Sequence, residues 1–163
     1  MFGLRRKKVQ TADEVFEVIK KTFTKNNYEC KFDEENRIAV ALFKGDDLPI
    51  ASAISINEET ATVNFHCKLM FEIPENSRQM VLNEFNNLNS KIAAGAFFLD
   101  GENMEPTFRL VHFYDLAPLT TDAVDKLLAI AVGVTDVHDG RIKELVPEEW
   151  KVQPTEFDSM MYR

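Results

Sequence analysis

Residues 62–71 read T-V-N-F-H-C-K-L-M-F, and apolar and polar side chains alternate along this stretch. The apolar positions would share one face of a strand: Val63, Phe65, Cys67, Leu69 and Phe71. The other face would carry Thr62, Asn64, His66, Lys68 and Met70. A period of two sustained over this length is typical of a β-strand that buries one face. The stretch therefore predicts one strand of a β-sheet whose apolar face lies against the core.

The segments before this strand predict three more strands, over residues 28–32, 37–44 and 48–57. Short polar turns separate them, such as Asp33-Glu34-Glu35-Asn36 and Gly45-Asp46-Asp47. Turns this short join antiparallel neighbours, whereas parallel strands need a long crossover. The sequence thus predicts an antiparallel meander and excludes a doubly wound parallel fold.

Helices are predicted on both sides of the meander. The first begins at Thr11, because Thr11 and Glu14 have the spacing of a capping box. Pro74 opens a second helix with an asparagine-rich outer face, and Gly95 suits its C′ position. Two strands follow, over 96–100 and 107–114, and Thr120 is the predicted N-cap of a last helix that extends toward Leu145. The order α-β-β-β-β-α-β-β-α predicts an α+β fold, an antiparallel sheet with helices on one face.

Charge and length divide the chain into three parts. It has 163 residues with 19 basic and 27 acidic side chains, for a net charge of −8. Residues 1–10 hold four basic and no acidic residues, so the remaining 15 basic and 27 acidic residues sum to −12. We expect a basic flexible N-terminus over 1–10, one α+β domain over 11–146 and a C-terminal tail over 147–163. A body this negative repels phosphate backbones, which disfavours nucleic-acid binding.

Hydropathy and cysteine content predict the compartment. No apolar run approaches the ~18 residues of a membrane span, and no apolar stretch follows the basic N-terminus. Cys30 and Cys67 are too few for a disulfide framework and are expected as reduced thiols. These features favour a cytoplasmic protein that does not associate with membranes.

Motifs for catalysis or cofactor binding are missing from the sequence. It contains no G-x-G-x-x-G or G-K-[ST] loop, no zinc-ligand spacing and no G-x-S-x-G elbow. The sequence therefore predicts no catalytic, cofactor-binding or metal-binding residues and no cofactor. The compact polar group Asp136-Val137-His138-Asp139 is expected on a solvated helix surface. The alternative is a small enzyme or ligand-binding protein in which His112, His138 or Asp139 converges with another polar group in a cleft.

Some strands are apolar on both faces, which leaves more apolar surface than helices on one side can cover. In residues 37–44, Ile38, Val40 and Leu42 alternate with Ala39, Ala41 and Phe43. In residues 107–114, Phe108 and Leu110 alternate with Val111 and Phe113. An uncovered apolar sheet face is an interaction surface, and its cover is the C-terminal tail, a second copy of the chain or a bound peptide. The candidate contact residues are Ala39, Ala41, Phe43, Val111 and Phe113.

Several stretches resemble one bacterial family. They are the T-x-x-E helix start, Y-E-C-K-F-D-E-E-N-R-I-A-V at 28–40, L-N-E-F-N-N-L-N-S-K-I-A-A-G-A-F-F-L-D at 82–100 and L-T-T-D-A-V-D-K-L-L at 119–128. Over about residues 9–146 the chain resembles the YbjN-like family, labelled "putative bacterial sensory transduction regulator", which has the type III secretion chaperone-like fold. The resemblance implies a small dimeric α+β domain without a cofactor and transfers no catalytic residue. Secretion chaperones of this fold bind extended effector segments as homodimers. The resemblance and the second apolar face of the strands together predict a non-enzymatic protein-interaction module.

Overall fold

The fold is described by a computed structural model over residues 9–101 and 104–147. Three helices and six strands follow one another in these residues in the predicted order. Their bounds are α1 Ala12–Lys25, β1 Cys30–Asp33, β2 Ile38–Lys44, β3 Pro49–Asn57, β4 Thr62–Leu69, α2 Glu75–Asn89, β5 Ala96–Asp100, β6 Glu105–Phe113 and α3 Thr121–Glu144. The prediction of an α+β fold is confirmed.

The six strands form a single antiparallel sheet in the order β1-β2-β3-β4-β6-β5. The alternating stretch that opens the sequence is β4, and it lies in the interior of the sheet between β3 and β6. Its central Phe65 aligns with Ile54 of β3 on one side and with Leu110 of β6 on the other. Because aligned residues in neighbouring strands point to the same side, this row lies on one face.

That face is covered by the helices, and we call it the covered face. Phe16 of α1 meets Phe32 of β1 edge to face, with ring centroids 6.2 Å apart. Phe85 of α2 stacks on Phe97 of β5 at 5.6 Å. The covered face also includes Phe65, which is fully buried in the same core. Burying each such aromatic side chain stabilises the fold by ~2–3 kcal/mol.

The helix starts are those that the sequence predicts. The Thr11 hydroxyl accepts a hydrogen bond from the Glu14 amide at 3.2 Å, and the Thr11 amide donates to the Glu14 carboxylate at 2.9 Å. Thr120 caps α3 by accepting from the Ala123 amide at 3.1 Å. The predicted continuation of α3 beyond Gly133 is also correct, since the helix runs to Glu144.

The second helix ends earlier than its apolar stripe predicts. α2 stops at Asn89, so Ile92 lies outside it and Gly95 is not its C′ residue. The Asn89 side chain instead turns to the outer edge of β5. It donates to the Phe97 carbonyl at 3.0 Å and accepts from the Phe97 amide at 2.8 Å. One amide side chain thus satisfies two backbone groups that a neighbouring strand would otherwise bond.

The chain ends differ partly from expectation. Gln10, expected in the flexible N-terminus, is bonded to Leu119: its side chain donates to the Leu119 carbonyl at 3.0 Å and accepts from the amide at 2.6 Å. The ordered domain therefore begins before Thr11. Residues 1–8 and 148–163 lie outside the described residues, so the flexible N-terminus and the C-terminal tail stay predictions.

Candidate functional site on the open face of the sheet

The face of the sheet opposite the helices, which we call the open face, carries both apolar and polar side chains. Strand register places the following residues there: Ile38, Val40 and Leu42 of β2, Ala51, Ala53 and Ser55 of β3, Asn64, His66 and Lys68 of β4, and Arg109, Val111 and Phe113 of β6. Within the part of the chain that the structure describes, α1, α2 and α3 all pack on the covered face instead. Leu42 and Phe113 are 39% and 49% exposed. Over the described residues, the open face is therefore a sheet surface that no helix covers and on which apolar side chains are exposed.

A shallow trough runs along β3 on this face. Its floor consists of the small side chains Ala51, Ala53 and Ser55. The β2 wall stands beside the floor residue by residue, with Leu42 against Ala51, Val40 against Ala53 and Ile38 against Ser55. Neighbouring strands are ~4.8 Å apart and a strand rises ~3.3 Å per residue, so the axes of the wall strands β2 and β4 lie ~10 Å apart and the floor is ~13 Å long.

The opposite wall, on β4, is polar. Asn64, His66 and Lys68 align with Ser55, Ala53 and Ala51. Burial lowers the pKa of His66, and the Arg109 and Lys68 charges lower it further although Asp100 opposes them. The imidazole is accordingly neutral at pH 7, and this part of the wall presents a hydrogen-bonding group without a charge.

Lys68 ends that wall in an ion-pair cluster. Its ammonium lies 2.8 Å from the Asp100 carboxylate and 3.1 Å from that of Glu105. Burial opposes the charge on Lys68, but these bonds outweigh it and raise the lysine pKa. The bond from Lys68 is the main reason that the pKa of Asp100 is lowered. Arg109 lies over the Phe98 ring at 5.3 Å, which leaves a cation facing outward beside the cluster.

The five predicted contact residues do not share one surface. Ala39, Ala41 and Phe43 align with covered-face residues of β3, and Ala39 and Ala41 are buried beneath the helices at 0% and 1% exposure. Only Val111 and Phe113 lie on the open face. The prediction is therefore corrected for Ala39, Ala41 and Phe43. The β2 residues on the open face are the other alternating set, Ile38, Val40 and Leu42.

The residues of the alternative, enzymatic reading are dispersed. The His112 ring nitrogen Nε2 bonds the Ala117 carbonyl at 2.8 Å, and His138 meets Phe97 edge to face at 6.0 Å. Asp139 is fully buried, so its expected place on a solvated helix surface is wrong. The structure brings none of these three side chains together in a cleft.

A surface pocket of about 520 Å³ lies elsewhere, beside the start of α1. Its lining includes Arg37 and Tyr114 but no histidine or cysteine. Arg37 is engaged there in ion pairs with Asp13 and Glu58, both at 2.7 Å. The pocket thus presents neither a nucleophile activated by a base nor a free cation for a ligand.

The described residues offer no reactive thiol at Cys67, no cluster of metal ligands and no membrane-spanning helix. Burial raises the pKa of Cys67 to about 12, so this thiol is protonated and unreactive. Over residues 9–101 and 104–147, no group of three or more His, Cys, Asp or Glu residues is placed to hold a metal ion. None of the three described helices has the length and apolar character needed to cross a bilayer.

The order of the helices and strands and the topology of the sheet define the fold class of this protein. It is the type III secretion chaperone-like fold, as three solved structures show. The ExsC–ExsE complex superposes with a TM-score of 0.61 at 12% identity, covering 85% of this chain and 98% of the other. The HopA1–SchA chaperone–effector complex gives 0.53 at 12% identity, covering 82% and 98%. The E. coli protein YbjN, described as "a putative transcription regulator", gives 0.58 at 9% identity, covering 77% and 92%.

The sequence then identifies the family. Residues 16–144 match the YbjN family, described as "Putative bacterial sensory transduction regulator", and the chain belongs to it. The predicted resemblance is confirmed. No curated protein sequence matches the chain. The family is described as a regulator, one neighbour is described as a chaperone–effector complex, and two of the three neighbours are complexes of two proteins.

Proposed function

We propose that this chain is a non-enzymatic regulatory module that binds an extended segment of a partner protein in the trough of the open face. The observation that carries the proposal is the uncovered apolar wall of β2 beside a floor of small side chains. Leu42 on this wall is 39% exposed, and exposed apolar side chains that lie side by side are typical of an interaction surface. Covering the β2 wall with a partner removes apolar surface from water and stabilises the complex.

The shape of the trough favours an extended chain over a helix. The axes of the wall strands lie ~10 Å apart, so the free space between their side chains is narrower than a helix, which is ~10–12 Å across with its side chains. A single extended backbone is thinner and can enter this space. Side chains of an extended segment alternate, so one set would meet Val40 and Leu42. The backbone or polar side chains on the other side would meet Asn64 and the neutral His66.

The chaperone-like neighbours support this proposal because they occur in complexes with protein partners. The negative body charge disfavours nucleic acid as the partner.

The proposal includes a homodimer in the cytoplasm. Dimerisation follows from the family resemblance and from the exposed apolar side chains. A cytoplasmic location agrees with two free cysteines, one of them buried. Static light scattering at high micromolar concentration tests the dimer. Twice the chain mass of 18.7 kDa is expected, and the single-chain mass at every concentration would contradict it.

Binding is tested with peptides selected from a random display library against the wild-type protein. Val40→Asp and Leu42→Asp each place a charge on the β2 wall of the open face. We expect each to weaken peptide binding in fluorescence anisotropy by at least about tenfold, equal to ~1.4 kcal/mol. The matched control is Val137→Asp, because Val137 is 76% exposed on α3, away from the sheet. Equal Kd values for wild type, control and both open-face variants would contradict the proposed site.

A further inference from the structure

The turn between β2 and β3 packs closely on the second half of α3. The Asp46 amide donates to Asp136 Oδ1 at 2.7 Å, which joins residues 90 positions apart, and the Gly45 amide donates to the Leu48 carbonyl at 3.2 Å. Two glycines permit this approach. A β-carbon at Gly45 would collide with the Leu48 carbonyl and with Asp136, and one at Gly140 would lie 2.5 Å from Asp47 Oδ2.

Asp139 lies at this contact and is 0% exposed. Its Oδ1 accepts a hydrogen bond from the Gly140 amide at 2.5 Å. Its Oδ2 is buried and has no hydrogen-bond partner. A buried carboxylate oxygen without a partner is costly when ionised, because it has lost the water that would solvate its charge.

The charges that act on Asp139 from both elements are negative. Asp47 faces it from the turn and Asp136 from its own helix, and Arg141, the nearest basic residue along α3, is bonded to Glu84 of α2 at 2.8 Å. Burial is the largest influence on Asp139. Together with the two carboxylates, burial outweighs the backbone amides of Gly140 and of Leu48, which favour the ionised form, and it raises the pKa of Asp139 to about 6.

We propose that Asp139 is a proton-operated latch between the β2–β3 turn and α3. In the closed state, Asp139 holds a proton taken from solvent on Oδ2, so the buried carboxyl group is neutral. In the open state, the proton has returned to solvent. Three carboxylates then repel one another across the contact, and the turn leaves the helix so that water reaches the buried Asp139.

The latch closes in acid. The folded state holds the proton up to about pH 6, whereas an unfolded aspartic acid releases it near pH 4, so the closed contact weakens as the pH rises through about 6. The turn joins the wall and the floor of the trough, so opening the latch would loosen that end of the open face. This last consequence alone rests on the proposed function; the latch itself does not need a partner.

The test is NMR on the intact chain without any partner. We expect the Asp139 side-chain carboxyl carbon to titrate with a midpoint near pH 6. The amides of Gly45 and Asp46 should lose about tenfold in protection from exchange between about pH 5 and pH 8, after correction for intrinsic exchange chemistry. Asp139→Asn fixes a neutral side chain of the same size that can donate a hydrogen bond, and its turn amides should keep their protection throughout.

The control variant is Asp122→Asn, which removes one exposed carboxylate from the first turn of α3. It should keep the wild-type pH dependence of the turn. A carboxyl midpoint near 4 in the wild type would overturn the latch, as would turn protection that does not change with pH. A turn that responds to pH equally in wild type and Asp139→Asn would overturn it too. If Asp139→Asn does not fold, the wild-type carboxyl titration and the pH dependence of the turn protection decide the matter together.

Discussion

Replacing Asn89 by alanine should measure how much one side chain contributes by closing the edge of the sheet. Asn89→Ala removes both hydrogen bonds to Phe97, at 3.0 and 2.8 Å, and leaves an amide and a carbonyl at the β5 edge without their partner. Each such loss at a partly buried backbone group costs ~1–1.5 kcal/mol, and alanine returns ~0.5 kcal/mol through helix propensity. The expected net loss in the free energy of unfolding is about 2 kcal/mol. For a domain of this size, that lowers Tm by about 4–8 °C.

Urea denaturation followed by circular dichroism measures this loss, with m expected to stay constant. Asn86→Ala is the matched control, because Asn86 is an exposed asparagine on the same helix, and its effect should stay within ~0.5 kcal/mol. Asn89→Asp keeps the acceptor for the Phe97 amide but loses the donor, so its stability should fall between wild type and Asn89→Ala. If Asn89→Ala and Asn86→Ala unfold at the same urea concentration, the edge-closing role of Asn89 is refuted.

Three further predictions concern two glycines, the buried Asp139 and the two cysteines. Gly133→Ala should raise the free energy of unfolding, measured in urea, by ~0.5–1 kcal/mol, because a β-carbon at this helix position meets open space. Gly95→Ala should lower it by at least ~1 kcal/mol, because Gly95 has φ +84° and its β-carbon would collide with Phe108. Asp139→Asn should be more stable than wild type by ~1–3 kcal/mol above about pH 6, because the raised pKa of Asp139 makes its ionised form costly in the folded state. This difference should disappear toward pH 4, where Asp139 is protonated. Thermal melts with the same pH dependence for both proteins would contradict this. Cys67 should resist a thiol reagent in the native protein while the partly exposed Cys30 reacts, although burial raises the pKa of both; two fast-reacting native thiols would contradict the buried position of Cys67.

Local patterns predicted the elements well. The capping box at Thr11 and the cap at Thr120 are decided by residues three positions apart, so they could be read from the sequence. The alternation along β4 predicted its buried face because successive side chains of a strand point to opposite sides. The end of α2 was predicted too late, because the Asn89 side chain is taken up by β5 and the apolar stripe gives no sign of that contact.

The candidate site was harder to predict because it depends on the register between β2 and β3. Alternation within β2 separates Ala39, Ala41 and Phe43 from Ile38, Val40 and Leu42, but it does not say which set faces the helices. Register decides this: Ala39 aligns with the buried Ile54. Small size was the one available signal, since alanines suit a position pressed against helices. The polar wall gave a better signal, because the alternation of β4 already placed His66 opposite the core.

The sequence by itself determined the order of the elements, the α+β class, the helix caps and the family, because each depends on neighbouring residues and short periods. Only the tertiary structure decided which face of β2 stays uncovered and that Asp139 is buried. The first depends on pairing between strands, and the second on a turn that meets α3 across 90 residues of chain. Burial and register are properties of contacts between distant segments. A local pattern therefore limits the possible arrangements, and packing selects one of them.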